Sequence, residues 1–102
     1  MNNPHLQAVM LNKCAELADS TTIRGALLRS YVELLEKGWR GYPYLLEMAK
    51  QQGITQSTAR QILELLEDAA LIESWDQPDN NRFYLRVGLT NEGREFASRW
   101  KL

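Results

Sequence analysis

The stretch from Gly53 to Trp75, GITQSTARQILELLEDAALIESW, sets Gln56, Ser57, Thr58, Arg60 and Gln61 at the head of an apolar helical run. At helical spacing Ala59, Ile62, Leu63, Leu66 and Ala70 share one face, suited to packing. Gln56, Ser57, Arg60, Gln61, Glu64 and Asp68 share the opposite one. The chemistry of that second face suits base edges in a major groove. Arginine forks to guanine, glutamine pairs with adenine, and serine serves either. A helix start also favours a phosphate through its free amides. The same residue types make an ordinary solvated face. Glu64 and Glu67 repel phosphate, although Glu64 can accept from a cytosine amino group.

Other reactive residues assemble nothing comparable. His5 is the only histidine, with no Cys or carboxylate at ligand spacing, so no metal site is expected. Cys14 is the only cysteine and cannot form an internal disulfide. It lies on an apolar helical face, where a thiol packs as a small hydrophobe. Trp39, Trp75 and Trp100 are read as core or interface residues rather than as a ligand pocket. No Ser/His/Asp set, phosphate loop or paired catalytic carboxylates can be drawn, so neither enzyme activity nor a cofactor is expected.

The chain has 102 residues, 44% of them apolar, which fits one domain with a modest core. No apolar run approaches the roughly 20 residues that span a bilayer, and the N-terminus does not read as a secretion signal. The expectation is a cytoplasmic protein without membrane contact. The net charge is -1, which counts against a simple basic nucleic-acid binder. The distribution is uneven: residues 1–81 hold seven Lys and Arg against eleven Asp and Glu, and residues 82–102 hold five against two. A local positive face is compatible with the total.

The elements that must position these residues follow from pattern and punctuation. Asn3-Pro4 opens a first helix, with Leu6, Val9, Met10, Cys14 and Leu17 at helical spacing and Ala8, Leu11, Ala15 and Ala18 widening the apolar girth. DSTT offers caps for a second helix, Ile23 to Glu36, with Ile23, Ala26, Leu27, Tyr31, Leu34 and Leu35 as its apolar set. A third runs from Pro43 to about Gln51 and ends at Gly53, after which Ile54 can enter the core. Thr55 or Ser57 caps the fourth, which reaches about Ala70. LIESW reads as a short strand and DQPDNN as a turn. RFYLRVGL is the returning strand, with Phe83, Leu85 and Val87 on one face and Arg82, Tyr84 and Arg86 on the other. TNEGREFASRW closes the chain as a capped helix. The expected class is mainly α with a small β-hairpin, in the order of a winged helix-turn-helix flanked by extra N- and C-terminal helices.

The run GYPYLLEMAKQQGITQSTARQILELLEDAALIESW, continued by NRFYLRVGLTNEGREFA, resembles winged-helix transcriptional regulators of the PadR and MarR type. Their patterns LEEAGLIE and YRLTEAGR correspond to LELLEDAALIE and LTNEGREF here. The resemblance covers roughly residues 24–98. It implies a dimeric repressor or activator that binds double-stranded DNA, and repression is the expected direction. By motif position it gives base contacts to Ser57, Thr58, Arg60 and Gln61, and wing contacts to Asn80, Asn81 and Arg82. Gln56 joins the base-contacting set by its place on the helix.

One domain is expected, with residues 1–20 as a dimerisation helix, 22–90 as the winged-helix core and 91–102 as a final helix. The apolar girth of the first helix needs cover on more than one side, so Leu6, Val9, Met10 and Leu17, with Phe96 and Trp100, form the expected two-fold interface. The rival reading is a winged-helix adaptor or antagonist that binds a protein partner instead of DNA. The acidic net charge and Asp76 and Asp79 at the wing support it.

Overall fold

The computed structural model describes residues 4–79 and 82–99. Among these the order is α1 (Pro4–Asp19), α2 (Ile23–Glu36), β1 (Arg40–Gly41), α3 (Tyr42–Gln51), α4 (Gln56–Asp68), β2 (Ile72–Asp79), β3 (Arg82–Leu89) and α5 (Asn91–Ser98). The chain is mainly helical with one small antiparallel sheet, an arrangement compatible with the expected winged helix.

Threonine hydroxyls start three of the helices. Thr22, Thr55 and Thr90 accept from the amides of Gly25, Thr58 and Gly93, at 3.0, 3.2 and 2.9 Å. Each hydroxyl satisfies an amide that has no partner inside its helix. Two helix ends share a second device. At the end of α3, Gly53 donates to Lys50 O and Ile54 to Ala49 O. At the end of α4, Ala70 donates to Glu67 O and Leu71 to Leu66 O, each at 2.9 Å. This paired pattern turns the chain through a left-handed residue and drops the next apolar side chain inward. Gly53 takes that conformation at φ 79°, without the steric cost of a Cβ. Ala70 takes it at φ 59° and bears the cost. Leu66 and Leu71 are both fully buried beneath it.

The core is built around α2, which buries Leu27, Leu28, Tyr31, Val32 and Leu35. Ile23, expected on this face, is 71% exposed, and Ala26 is exposed as well. The buried stripe is therefore rotated toward Leu28 and Val32, because α1, α4, α5 and the sheet all pack against this helix. Tyr31 is buried, and its hydroxyl donates to Leu45 O at 2.7 Å. Of α1, Cys14 and Ala18 are fully buried; Met10, Leu11, Ala15 and Leu17 pack partly against the core.

The sheet order is β1-β3-β2. Two features depart from the sequence-based expectation. β1, absent from that reading, pairs Arg40 with Val87 and Gly41 with Arg86. β2 runs past Trp75 to Asp79, through most of the supposed turn, and matches Asp76 to Leu85 and Pro78 to Phe83. Pro78 is tolerated because β2 is an edge strand, where a missing amide need not break a ladder. At the far end Thr90 ties the sheet to the helices: its amide donates to Leu71 O and its hydroxyl to Ala70 O.

Two tests follow. Ala70→Gly relieves a strained alanine and is expected to raise stability by up to about 1 kcal/mol, while Gly53→Ala lowers it by a similar amount. Chemical denaturation read by circular dichroism measures both. Separately, burial, with a smaller contribution from Asp68, pushes the Cys14 thiol up to about 12. Burial, then Tyr42, does the same for the Tyr31 hydroxyl. Both folded values lie above the ordinary ones of 9.0 and 10.0. The stability they carry is therefore complete below pH about 9 and lost as pH rises toward 12. Melting temperature should fall across that window, less steeply in Cys14→Ala, and iodoacetamide should label Cys14 only after unfolding.

Candidate nucleic-acid interface

The first turns of α4 hold their side chains in two distinct ways. Gln56, Ser57, Arg60 and Gln61 are exposed, while Ala59, Ile62, Leu63 and Leu66 on the opposite face are buried. The helix is thus fixed from behind and open in front. Arg60 makes no hydrogen bond or ion pair among the described residues. Thr58 differs from its expected role. It is half-buried, and its hydroxyl accepts from the Thr55 hydroxyl at 3.0 Å while its amide donates to that same oxygen. Thr58 is therefore part of the cap, with its hydroxyl engaged inside the turn.

Farther along α4 the outward face changes sign. Arg60, Glu64 and Glu67 border an open groove of about 300 Å³ between α4 and the sheet. Tyr42, Leu85 and Val87 line it from the other side. The Ser74 hydroxyl donates to a Glu67 carboxylate oxygen at 3.5 Å. Arg60 thus stands at the junction between a neutral polar end and an acidic one. Leu85, on the same strand face as Val87, is 38% exposed, because the hairpin outruns the helices that cover Val87. Asn80 and Asn81 lie outside the described residues, and Arg82 is placed on β3 opposite Asp79.

The expected interface residues divide. Leu6 is 49% exposed and Val9 37%, whereas Met10 and Leu17 are half-buried against the chain's own core. Phe96 is a correction. It is buried in that core, because the short α5 turns its aromatic ring inward beside Leu11, Ala69 and Leu71, and at 2% exposure it offers little surface to a partner. Trp100 lies outside the described residues.

The opposite face of the sheet carries a group that sequence reasoning missed. The Arg86 guanidinium sits 4.7 Å from the centroid of the Trp39 ring and 5.1 Å from that of Tyr84. Its Nε donates to Gln77 Oε1 at 3.3 Å. Trp75 pairs with Arg86 across the ladder, and its ring lies over Gly88, where a Cβ would stand 3.0 Å from two of the ring carbons. The same point is 3.9 Å from Trp39 Cβ. Only the short β1 pairing brings Trp39 to this face, which is why its sequence position gave no signal.

Among the described residues no helix is long and apolar enough to cross a membrane, and no group of three His, Cys, Asp or Glu side chains is placed to hold a metal ion. Comparison with family models, curated proteins and solved structures finds no match to this chain.

Proposed function

We propose that this chain is a winged-helix regulator of transcription that binds double-stranded DNA as a homodimer and acts as a repressor, with α4 in the major groove. One observation carries the reading: Gln56, Ser57, Arg60 and Gln61 are exposed together on the leading turns of a helix whose back is locked into the core. In a helix-turn-helix the leading residues of the second helix meet base edges. The resemblance of the α3–α4 and hairpin sequences to PadR- and MarR-type regulators supports it. Base contacts fall to Arg60 and Gln61 first, with Gln56 and Ser57 at the flank. The wing contribution of Asn80, Asn81 and Arg82 rests on that resemblance. A partner-binding adaptor is the second reading, favoured by Glu64 and Glu67 beside Arg60, since carboxylates oppose a phosphate backbone.

Selection from a random duplex pool, followed by anisotropy on the enriched sequence, tests the DNA reading. Affinity should fall with salt at a log–log slope of about -0.9 per phosphate neutralised. Arg60→Ala should cost about 1–3 kcal/mol and relax preference at one base pair. If low-salt selection enriches nothing, the adaptor reading replaces it.

The homodimer reading rests on α1, where Leu6 and Val9 are exposed beside each other on the apolar girth. The double variant Leu6→Glu, Val9→Glu should halve the mass measured by light scattering. These two positions serve better than Met10, which also packs partly against the core. An unchanged mass would remove α1 from the interface.

A further inference from the structure

The outer face of the sheet is turned away from α4, and its rings take no part in the proposed duplex contact. It exposes two tryptophans, Trp39 at 50% and Trp75 at 37%, beside the half-buried Tyr84 and Arg86. Leaving that much aromatic surface in water forgoes the burial that usually stabilises such rings. The rings are also held in place. The Arg86 guanidinium covers one side of Trp39, Gln77 fixes the guanidinium, and the missing side chain at Gly88 lets Trp75 lie close over the backbone. Tyr84, Arg86, Trp39 and Trp75 thus form a row of ring faces along β3.

We propose that this face is a binding platform for single-stranded nucleic acid, with bases stacked on Trp39 and Trp75 and the backbone held by the neighbouring cations. Two observations choose this occupant. The surface consists of ring faces, and stacking on aromatics is how sequence-tolerant single-strand sites gain affinity. The charge around the rings is complementary to a phosphodiester chain. Lys37 is exposed two residues before Trp39, and Arg40 folds its guanidinium onto the carbonyls of Gly38 and Trp39. Arg86 lies within the row itself. Among the described side chains Glu73, opposite Gly88, stands against them; Asp76 and the stem of Arg40, opposite Leu85 and Val87, belong by strand alternation to the other face, and only the Arg40 guanidinium returns, to the Gly38 and Trp39 carbonyls. The platform does not depend on the duplex-binding reading and uses none of the same residues.

The test is anisotropy of a labelled oligothymidylate about 12 nucleotides long, which forms no duplex. Binding is expected at low salt, weakening with a log–log slope of about -0.7 per phosphate contacted. Trp39→Ala and Trp75→Ala should each weaken it about tenfold, and Trp39→Phe should restore part of the loss. Gly88→Ala keeps every ring but pushes Trp75 off the backbone, so it too should weaken binding. Arg86→Gln should lower both affinity and salt slope, while Arg60→Ala should leave the oligothymidylate curve unchanged. Circular dichroism establishes that each variant is folded. Absence of binding at low salt would overturn the proposal. So would unaltered affinity in both tryptophan variants, or equal competition by polyglutamate, which would make the face a docking surface for an acidic protein. Loss of duplex binding with oligothymidylate binding intact would refute only the repressor reading, and the converse only this one.

Discussion

The corner at Ala69–Leu71 decides where the sheet stands relative to α4. There the last amides of the helix bend back onto Leu66 and Glu67 carbonyls, Ala70 takes a left-handed conformation, and Leu71 drops into the core. Thr90, at the other end of the hairpin, returns to two of these residues, its amide to Leu71 and its hydroxyl to Ala70. Helix end, strand start and strand exit are thereby fixed at one point. The groove beside Arg60 exists because this corner sets the hairpin alongside α4. An alanine is retained where the resembling pattern LEEAGLIE has glycine. It bears a backbone cost that the buried pair Leu66 and Leu71 offset.

Behind that corner the core holds α4 by its apolar side and leaves the other side to solvent. Ala59, Ile62, Leu63 and Leu66 are consumed by packing, so Arg60 and Gln61 have nowhere to go but out. The same logic separates the two readings of function. Exposure alone suits either a groove of DNA or a protein partner. The sign of the charge along α4, positive at Arg60 and negative at Glu64 and Glu67, is what makes the choice sharp.

Much of this arrangement was legible in the sequence, for identifiable reasons. The threonine caps, Gly53 and the apolar spacing of α4 are local signals, and the helices and the exposed polar face followed from them. What required tertiary information was missed. The apolar set read for α2 includes the buried Leu27, Tyr31 and Leu35 but also the exposed Ile23 and Ala26, because a helix wrapped on several sides has no single polar face to mark its phase. Two residues of β1 carry no period, and Pro78 argues against a strand unless its edge position is known. The part Thr58 plays in the cap is not marked by spacing, because capping geometry is invisible there. Spacing alone puts Phe96 at an interface, because the burial of α5 against the rest of the chain is not encoded in its own eight residues. The row of Trp39, Tyr84, Arg86 and Trp75 could be assembled only once β1 had been paired with β3.

The long outer strand, Ile72–Asp79, has a free side with no further strand beside it among the described residues. Such a margin invites fibril-like zipping with its own kind. Here Glu73, Asp76 and Pro78 stand along it, and a second molecule laid antiparallel would face like charge and a gap in its ladder. Evolution of this hairpin is accordingly boxed in: an apolar residue in place of any of the three would make a stickier protein before it made a better binder.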